Sequence, residues 1–285
     1  MPEVQRIRTD KLSGYRTSHL FKHYGEFTTP EHYAGYLQWA RANRLPVFIL
    51  GNGSNTLFTK KNVRSLVLVN RLPAQIRFID ETRLEASSSV EVMQILKHCE
   101  EKNLHSFYFL ASVPATVGGA VAMNAGLGGG ATIFDFIESV TFFEDGQVKT
   151  LETAQIPRAH RTTPFAGVQD KLILSAVFHF PKSEASIKGS IKRRALWSRD
   201  FQDRQIPNCG SVFKVCDRPL FRCLSVIPPF GIAIPGFRAQ YSRRTLNWII
   251  NRNRSSWAIV ALIRMAILVH RALGRPIELE LVLVG

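Results

Sequence analysis

Val113-Pro114-Ala115-Thr116-Val117-Gly118-Gly119-Ala120 runs on through Met123-Asn124-Ala125-Gly126-Leu127-Gly128-Gly129-Gly130. Six glycines and four alanines in these 18 residues leave the main chain open to close approach by a ligand. The interspersed Val113, Val117, Val121 and Met123 read as packed positions, which argues against a flexible linker. A second glycine-rich turn lies upstream, where the buried-type strand Pro46-Val47-Phe48-Ile49-Leu50 ends in Gly51-Asn52-Gly53-Ser54-Asn55. That turn fails as a dinucleotide fingerprint. It leads through Thr56-Leu57-Phe58-Thr59-Lys60-Lys61 to another strand rather than a helix, and it lacks the third glycine. Consecutive backbone N–H groups flanked by small side chains can still make an anion nest. Two such loops, with an excess of positive charge, point to a large phosphate-bearing cofactor.

The charge is 37 Lys+Arg against 22 Asp+Glu, a net +15 in 285 residues. Such a field attracts anions. With 45% apolar and 21% charged residues the chain has enough to bury a real core, which excludes a disordered or collagen-like chain. Four cysteines are too few for a disulfide framework. Cys209, Cys216 and Cys223 are evenly spaced but form no Cys-x-x-Cys pair, so no metal site is expected. Met1-Pro2-Glu3-Val4-Gln5-Arg6 has no signal-peptide character, and the longest apolar run, Ala258 to Val269, is broken by Arg264. These features predict a cytoplasmic protein with no membrane partner.

Thr29-Pro30-Glu31 reads as an N-cap and first turn opening a helix to about Arg44. A second strand is expected at Ser65-Leu66-Val67-Leu68-Val69, and further strands at Val140 to Phe143 and Leu172 to Phe180. Ser88-Ser89-Val90-Glu91 has the form of a capping box starting a helix to about Lys102. Residues 184–204 change to a basic helical pattern with Lys188, Lys192, Arg193, Arg194, Arg199 and Arg204, and the shift near Pro181-Lys182-Ser183 suggests a domain boundary. A last helix is expected from Ser255 to Gly274, followed by a closing strand from Ile277 to Val284. The basic residues come without a helix-turn-helix, zinc finger or stacking-aromatic motif, so no nucleic-acid partner is expected.

Taken in order, Ile49-Leu50-Gly51-Asn52-Gly53-Ser54-Asn55, Val113-Pro114-Ala115-Thr116-Val117-Gly118-Gly119-Ala120 and Asn124-Ala125-Gly126 resemble the UDP-N-acetylenolpyruvoylglucosamine reductase (MurB) family. The likeness continues through His160-Arg161-Thr162-Thr163, Gly210-Ser211-Val212-Phe213-Lys214 and the C-terminal Leu279-Glu280-Leu281. It implies an α+β chain with the FAD-binding fold of the vanillyl-alcohol oxidase (PCMH) type. Two α/β lobes, 1–70 (completed by 276–285) and 71–183, would hold FAD, and a smaller α/β domain, 184–275, the substrate. It further implies noncovalent FAD bound by Gly51, Asn52, Gly53, Ser54, Asn55, Pro114, Ala115, Gly118, Gly119, Asn124 and Gly126.

The activity implied is reduction of an enol ether, with hydride passed from NADPH through flavin N5. Ser211 matches the family's proton donor, needed because hydride addition leaves carbanion character on the neighbouring carbon. Arg161 matches the arginine that stabilises the substrate carboxylate and developing enolate. Glu280 matches the assisting acid, with Glu278 as its rival, since adjacent strand residues face opposite sides. Lys214 and Arg204 are the substrate-binding candidates, for an anionic small molecule such as a nucleotide sugar.

The departures gather on the substrate side. The family's Phe-Lys-Asn-Pro is Phe213-Lys214-Val215-Cys216, and its tyrosine before the motif arginine is His160. Leu127-Gly128-Gly129 replaces an aromatic, Pro114-Ala115 replaces proline-glycine, and Pro235-Gly236-Phe237-Arg238-Ala239-Gln240-Tyr241-Ser242 replaces a Gly-Gly-Ala-x-x-Ser stretch. Near the N-terminus, Tyr15-Arg16-Thr17-Ser18 is followed by Phe21-Lys22-His23-Tyr24-Gly25 without the usual glycine pair. The expectation is therefore a reductase of this type. The alternatives are a divergent enzyme of a specialised biosynthetic pathway acting on another substrate, or a non-catalytic FAD-binding homologue.

Overall fold

The computed structural model describes residues 2–128, 130–167, 170–226 and 238–285. Gly129 and the Pro235-Gly236-Phe237 departure lie outside the described residues. Helices and strands alternate along the chain in an α+β arrangement. The chain forms two compact units: unit 1 comprises Met1–Val4, Tyr24–Asn52 and Leu66–Ser198, and unit 2 comprises Gln5–His23, Gly53–Ser65 and Arg199–Gly285.

In unit 1 the helix Pro30–Ala42 starts as its sequence dictates. The Thr29 hydroxyl accepts the His32 N–H at 3.1 Å, proline occupies the first helical position, and Glu31 sits at the positive end of the dipole. Its inner face of Tyr33, Tyr36, Leu37 and Ala40 packs on Val47, Leu66 and Leu68. There the strand Val47–Leu50 pairs in parallel with the strand Asn62–Asn70, from Val47↔Leu66 to Leu50↔Val69.

The larger core of unit 1 covers an antiparallel sheet whose strands lie in the order Ile76–Phe78, Arg83–Ser87, Leu172–His179, Ile137–Glu144, Gln147–Glu152. Phe107, Phe136, Phe178 and Phe180 stack and edge together on it, and burial of each ring contributes about 1.5–3 kcal/mol. The helix Val92–Glu101 adds Val92, Ile95, Leu96 and Cys99. Its capping box lies three residues later than the sequence suggests, formed by Glu91 and Gln94. Ser88 is occupied elsewhere: its hydroxyl accepts from Asn70 Nδ2 at 2.8 Å and its carbonyl from the Gly118 N–H at 2.8 Å.

Unit 2 contains three short strand pairs and two longer helices, Arg218–Val226 and Trp257–Ala272. Phe213–Cys216 pairs antiparallel with Ile277–Leu279, Ala239–Tyr241 antiparallel with Ile249–Asn251, and Thr56–Phe58 parallel with Val282–Val284. The single closing strand expected from Ile277 to Val284 is thus two strands with different partners. It breaks because the N–H groups of Glu280 and Leu281 both turn onto the Val212 carbonyl, at 2.9 and 3.2 Å. The helix runs Trp257–Ala272 with Ser256 as N-cap rather than Ser255, and buries Ala258, Ile259, Leu262, Ile263 and Ala266 among Tyr15, Phe213, Phe221 and Tyr241. Gly274, at φ +63°, stops it as expected. Among the described residues no helix is long and apolar enough to cross a membrane.

The two units divide the charge unequally. Unit 1 carries 16 Lys+Arg and 16 Asp+Glu, whereas unit 2 carries 21 and 6, so the whole +15 belongs to unit 2.

Candidate functional site

The glycine-rich run of unit 1 is ordered by its own caps. Thr116 is the N-cap of the short helix Val117–Ala122, its hydroxyl accepting the Gly119 N–H at 3.3 Å. Val117 and Val121 are fully buried, as the spacing suggests, but Val113 is exposed, because the chain before the cap leaves the core. Gly118 is required for close approach: a Cβ there would lie 2.9 Å from the Ser88 Cβ. Asn52 Nδ2 donates to Glu91 Oε1 at 2.8 Å and to the Pro114 carbonyl at 3.4 Å, joining the upstream turn to this run. A Cβ on Gly51 would meet Thr116 Oγ1 at 2.7 Å. Ala115 is buried, while Pro114 and Gly119 are exposed.

Asn124 holds a left-handed φ of +42° and is only 6% exposed. Its Nδ2 donates to the Ala159 carbonyl at 3.0 Å, while its buried Oδ1 accepts no hydrogen bond. A buried acceptor without a donor costs about 1–3 kcal/mol, which any bound group carrying an N–H or O–H would recover. Arg161 borders this point: its guanidinium donates to the carbonyls of Asn124 (3.3 Å) and Gly126 (2.6 Å). Of the expected site residues, Asn52 and Pro114 are in contact with each other, and Asn124, Gly126 and Arg161 form a second contacting group. An open main chain, small side chains and an orphaned acceptor fit an FAD-sized group with phosphates and ring N–H donors.

In unit 2, Gly53 is at φ +64°, and a Cβ there would overlap the Leu12 carbonyl oxygen, so only glycine serves. Its own carbonyl accepts the Gly14 N–H at 3.0 Å. Ser54 is half-buried, and Asn55 Nδ2 donates to the Glu280 carbonyl at 3.0 Å.

Ser211 follows Gly210 and bridges to Trp248. The next two residues are clasped from both sides. Asn247 accepts the Val212 N–H through its carbonyl (2.8 Å), accepts the Phe213 N–H through Oδ1 (3.0 Å), and donates Nδ2 to the Phe213 carbonyl (2.6 Å). From the other side Glu280 and Leu281 hold the Val212 carbonyl. Ser211 and Glu280 therefore sit one residue apart across a fixed main chain. Glu278, the rival acid, instead pairs with Lys214 at 3.3 Å and is exposed. Arg204 lies exposed on a turn, with its N–H on the Gln202 carbonyl. Arg161 belongs to unit 1, and Ser211, Glu280, Lys214 and Arg204 to unit 2.

Sequence reasoning missed Asn247, which no local motif marks, because it acts through a contact more than 30 residues away. Glu91 is marked only as part of the expected capping box, not as the partner of Asn52. Cys209 was set aside as a metal ligand and is a buried core thiol, pushed up to about 11 by burial. Cys223 is exposed, and among the described residues no cluster could hold a metal ion.

The family described as "FAD binding domain" matches residues 22–152. The chain is 33% identical over 253 residues to UDP-N-acetylenolpyruvoylglucosamine reductase of Moorella thermoacetica, covering 86% of this chain and 81% of that protein. It is 30% identical over 215 residues to the Aquifex aeolicus enzyme of the same name, covering 74% of this chain and 69% of that one. The crystal structure of UDP-N-acetylenolpyruvylglucosamine reductase (MurB) from Thermus caldophilus superposes with a TM-score of 0.74 at 20% identity, over 100% of both chains. The fold is thus the PCMH-type FAD-binding fold, and the protein is a flavoprotein, an FAD-dependent oxidoreductase. Within that class, the chain belongs to the UDP-N-acetylenolpyruvoylglucosamine reductase family.

Proposed function

We propose that the protein reduces the carbon–carbon double bond of an enol ether carried on a nucleotide sugar, using NADPH as hydride donor. The observation that carries this reading is the clasp at Val212, which holds Ser211 one residue from Glu280 on a main chain fixed from two sides. FAD, held by Gly51 to Asn55, by Pro114, Ala115, Gly118 and Gly119, and by Asn124 and Gly126, supplies the hydride-transfer chemistry when bound. Ser211 gives its hydroxyl proton to the carbon beside the one reduced, acting as general acid towards the carbanion character that develops there. Glu280 supports that proton transfer, and the engagement of Glu278 with Lys214 favours Glu280 over its rival. Arg161 stabilises the substrate carboxylate, with a guanidinium already oriented by two carbonyls. Lys214 and Arg204 bind the anionic substrate, and the surplus of fifteen positive charges in unit 2 suits a diphosphate carrying a carboxylate. In this reading residues 1–70, 71–183 and 276–285 serve the cofactor and 184–275 the substrate.

A second reading, reduction of a different anionic enol ether or enone, is favoured by Val215. This side chain is exposed where the family offers an asparagine amide, so one polar contact to substrate is missing. The test is NADPH oxidation by the FAD-loaded enzyme with UDP-N-acetylenolpyruvoylglucosamine. Turnover at ordinary enzymatic rates supports the first reading. Reduction of bound flavin by NADPH without turnover of this substrate supports the second, and no flavin reduction by NADPH removes both.

A further inference from the structure

Glu280 is held through its main chain from two directions. Its N–H donates to the Val212 carbonyl at 2.9 Å, next to Ser211, and its own carbonyl accepts from Asn55 Nδ2 at 3.0 Å. Asn55 makes a second contact on the same segment. Its carbonyl accepts the Val282 N–H at 3.1 Å and opens the parallel pairing of Thr56–Phe58 with Val282–Val284. The side chain thus reaches back from the start of a strand pair to the residue two places before it. The pairing needs only the main chain of Asn55, whereas the contact to Glu280 needs its amide. An amide suits the task, because it supplies an N–H donor without bringing a charge beside an acid.

The anchor is itself fixed. The Thr56 carbonyl accepts the Ser13 hydroxyl at 2.6 Å and the Cys209 thiol at 3.4 Å, and the Gly53 carbonyl accepts the Gly14 N–H at 3.0 Å. A Cβ on Gly14 would overlap the Asn208 carbonyl oxygen, so the segments 13–15, 53–56 and 208–209 interlock without slack. Cys209 stands two residues before Ser211 and ties the serine segment to the same turn. All of these residues belong to unit 2. We infer that Asn55 is a positioning residue for Glu280: its amide fixes the main chain that carries the carboxyl group and so holds the acid beside the Ser211 segment. The inference rests on the reading of Glu280 as the acid that supports proton transfer. Asn55, expected as a cofactor ligand, serves the C-terminal segment with both its carbonyl and its amide nitrogen.

The test is a double-mutant cycle with Asn55→Ala and Glu280→Gln in the FAD-loaded full chain. Its readout is the rate at which UDP-N-acetylenolpyruvoylglucosamine reoxidises the NADPH-reduced flavin. Each single variant should slow reoxidation about 10–100-fold, and Asn55→Ala should add less than about threefold once Glu280→Gln is present. Losses that multiply overturn the inference. A slow Glu280→Gln with a fully active Asn55→Ala removes this inference alone, whereas an unaffected Glu280→Gln removes the reading of the acid and the inference with it. Amide hydrogen exchange gives a second readout that needs no substrate. In Asn55→Ala the N–H groups of Glu280 and Leu281 should exchange about tenfold faster, while that of Val282 changes less than about twofold. Equal exchange of all three, raised or unchanged, overturns the inference, and flavin loss with an unchanged exchange pattern overturns it by making Asn55 a cofactor ligand. If the parent is not reoxidised by this substrate, the substrate reading fails and the exchange pattern decides the inference.

Discussion

The two units solve different problems with different materials. Unit 1 is electrically neutral, and its candidate features belong to the main chain: the Thr116 cap, the close approach at Gly118 and the left-handed Asn124 with its orphaned acceptor. Unit 2 is strongly basic, and its candidate features are side chains: Lys214 on the short strand Phe213–Cys216, with Ser211 and Glu280 on the segments beside that strand and its partner, the first strand being bonded by Asn247. The small residues of the glycine-rich run, Gly118, Gly119, Ala120 and Gly126 among them, are present in this sequence. Departures from the family pattern fall in both units, at Val215 and Cys216 in unit 2 and at His160 in unit 1.

The contrast can be broken first by emptying the core under the cofactor. Phe178→Ala removes a fully buried ring stacked on Phe180 and should cost about 3–5 kcal/mol in chemical denaturation, with early loss of flavin. An effect below about 1 kcal/mol would mean that the aromatic cluster does not carry unit 1.

Gly53→Ala comes next, testing whether unit 2 also depends on main chain. A left-handed φ costs a side chain about 1–3 kcal/mol, and overlap with the Leu12 carbonyl adds to it. Gly128→Ala, at φ +49° with nothing within 4 Å of the new Cβ, is the control and should cost no more than the backbone share. Equal losses for both would remove the close approach from the account.

Asn247→Ala should cost about 1–3 kcal/mol, since the Phe213 N–H and carbonyl lose their partners. Turnover should fall further than flavin affinity, because the displaced strand carries Ser211 and Lys214. Asn247→Asp keeps the acceptor for the Phe213 N–H and should recover part of both. Parallel loss of flavin and turnover would contradict the division of labour.

The smallest effect concerns pH. His19 in unit 2 is buried, with Nδ1 on the Lys60 carbonyl at 2.8 Å and Nε2 on Thr17 Oγ1 at 2.7 Å. Burial holds its pKa below the usual 6.5, outweighing the carbonyl contact that raises it. The folded ring therefore stays neutral while the unfolded chain takes up a proton. Its contribution is complete above pH 6.5 and is lost as the pH falls from there through the lowered folded value. Thermal melting followed between pH 7.5 and 5.5 should show a shallower decline in His19→Gln than in the parent. An equal slope would show that this ring is not the titrating group.

Much of the fold is legible in the sequence where a single local rule decides. The Thr29 cap and Pro30 open a helix, Val47 to Leu50 form a strand, and Gly274 ends the last helix. It is less legible where two rules compete. Ser88 satisfies the capping pattern but is taken by Asn70 and Gly118, so Glu91 becomes the cap. Ile277 to Val284 reads as one strand because nothing in it signals that the Val212 carbonyl claims two of its N–H groups. Asn247 gives no signal at all, since its function is a contact made 34 residues away.

The central claim is that Ser211 protonates a substrate reduced by this flavoprotein. The direct measurement separates the two half-reactions in Ser211→Ala: flavin reduction by NADPH under anaerobic conditions, and reoxidation by the enol ether substrate. The account predicts full flavin content and unchanged reduction by NADPH, with reoxidation by substrate slowed about 10²–10⁴-fold. Reoxidation at the parent rate, with flavin content intact, would contradict it.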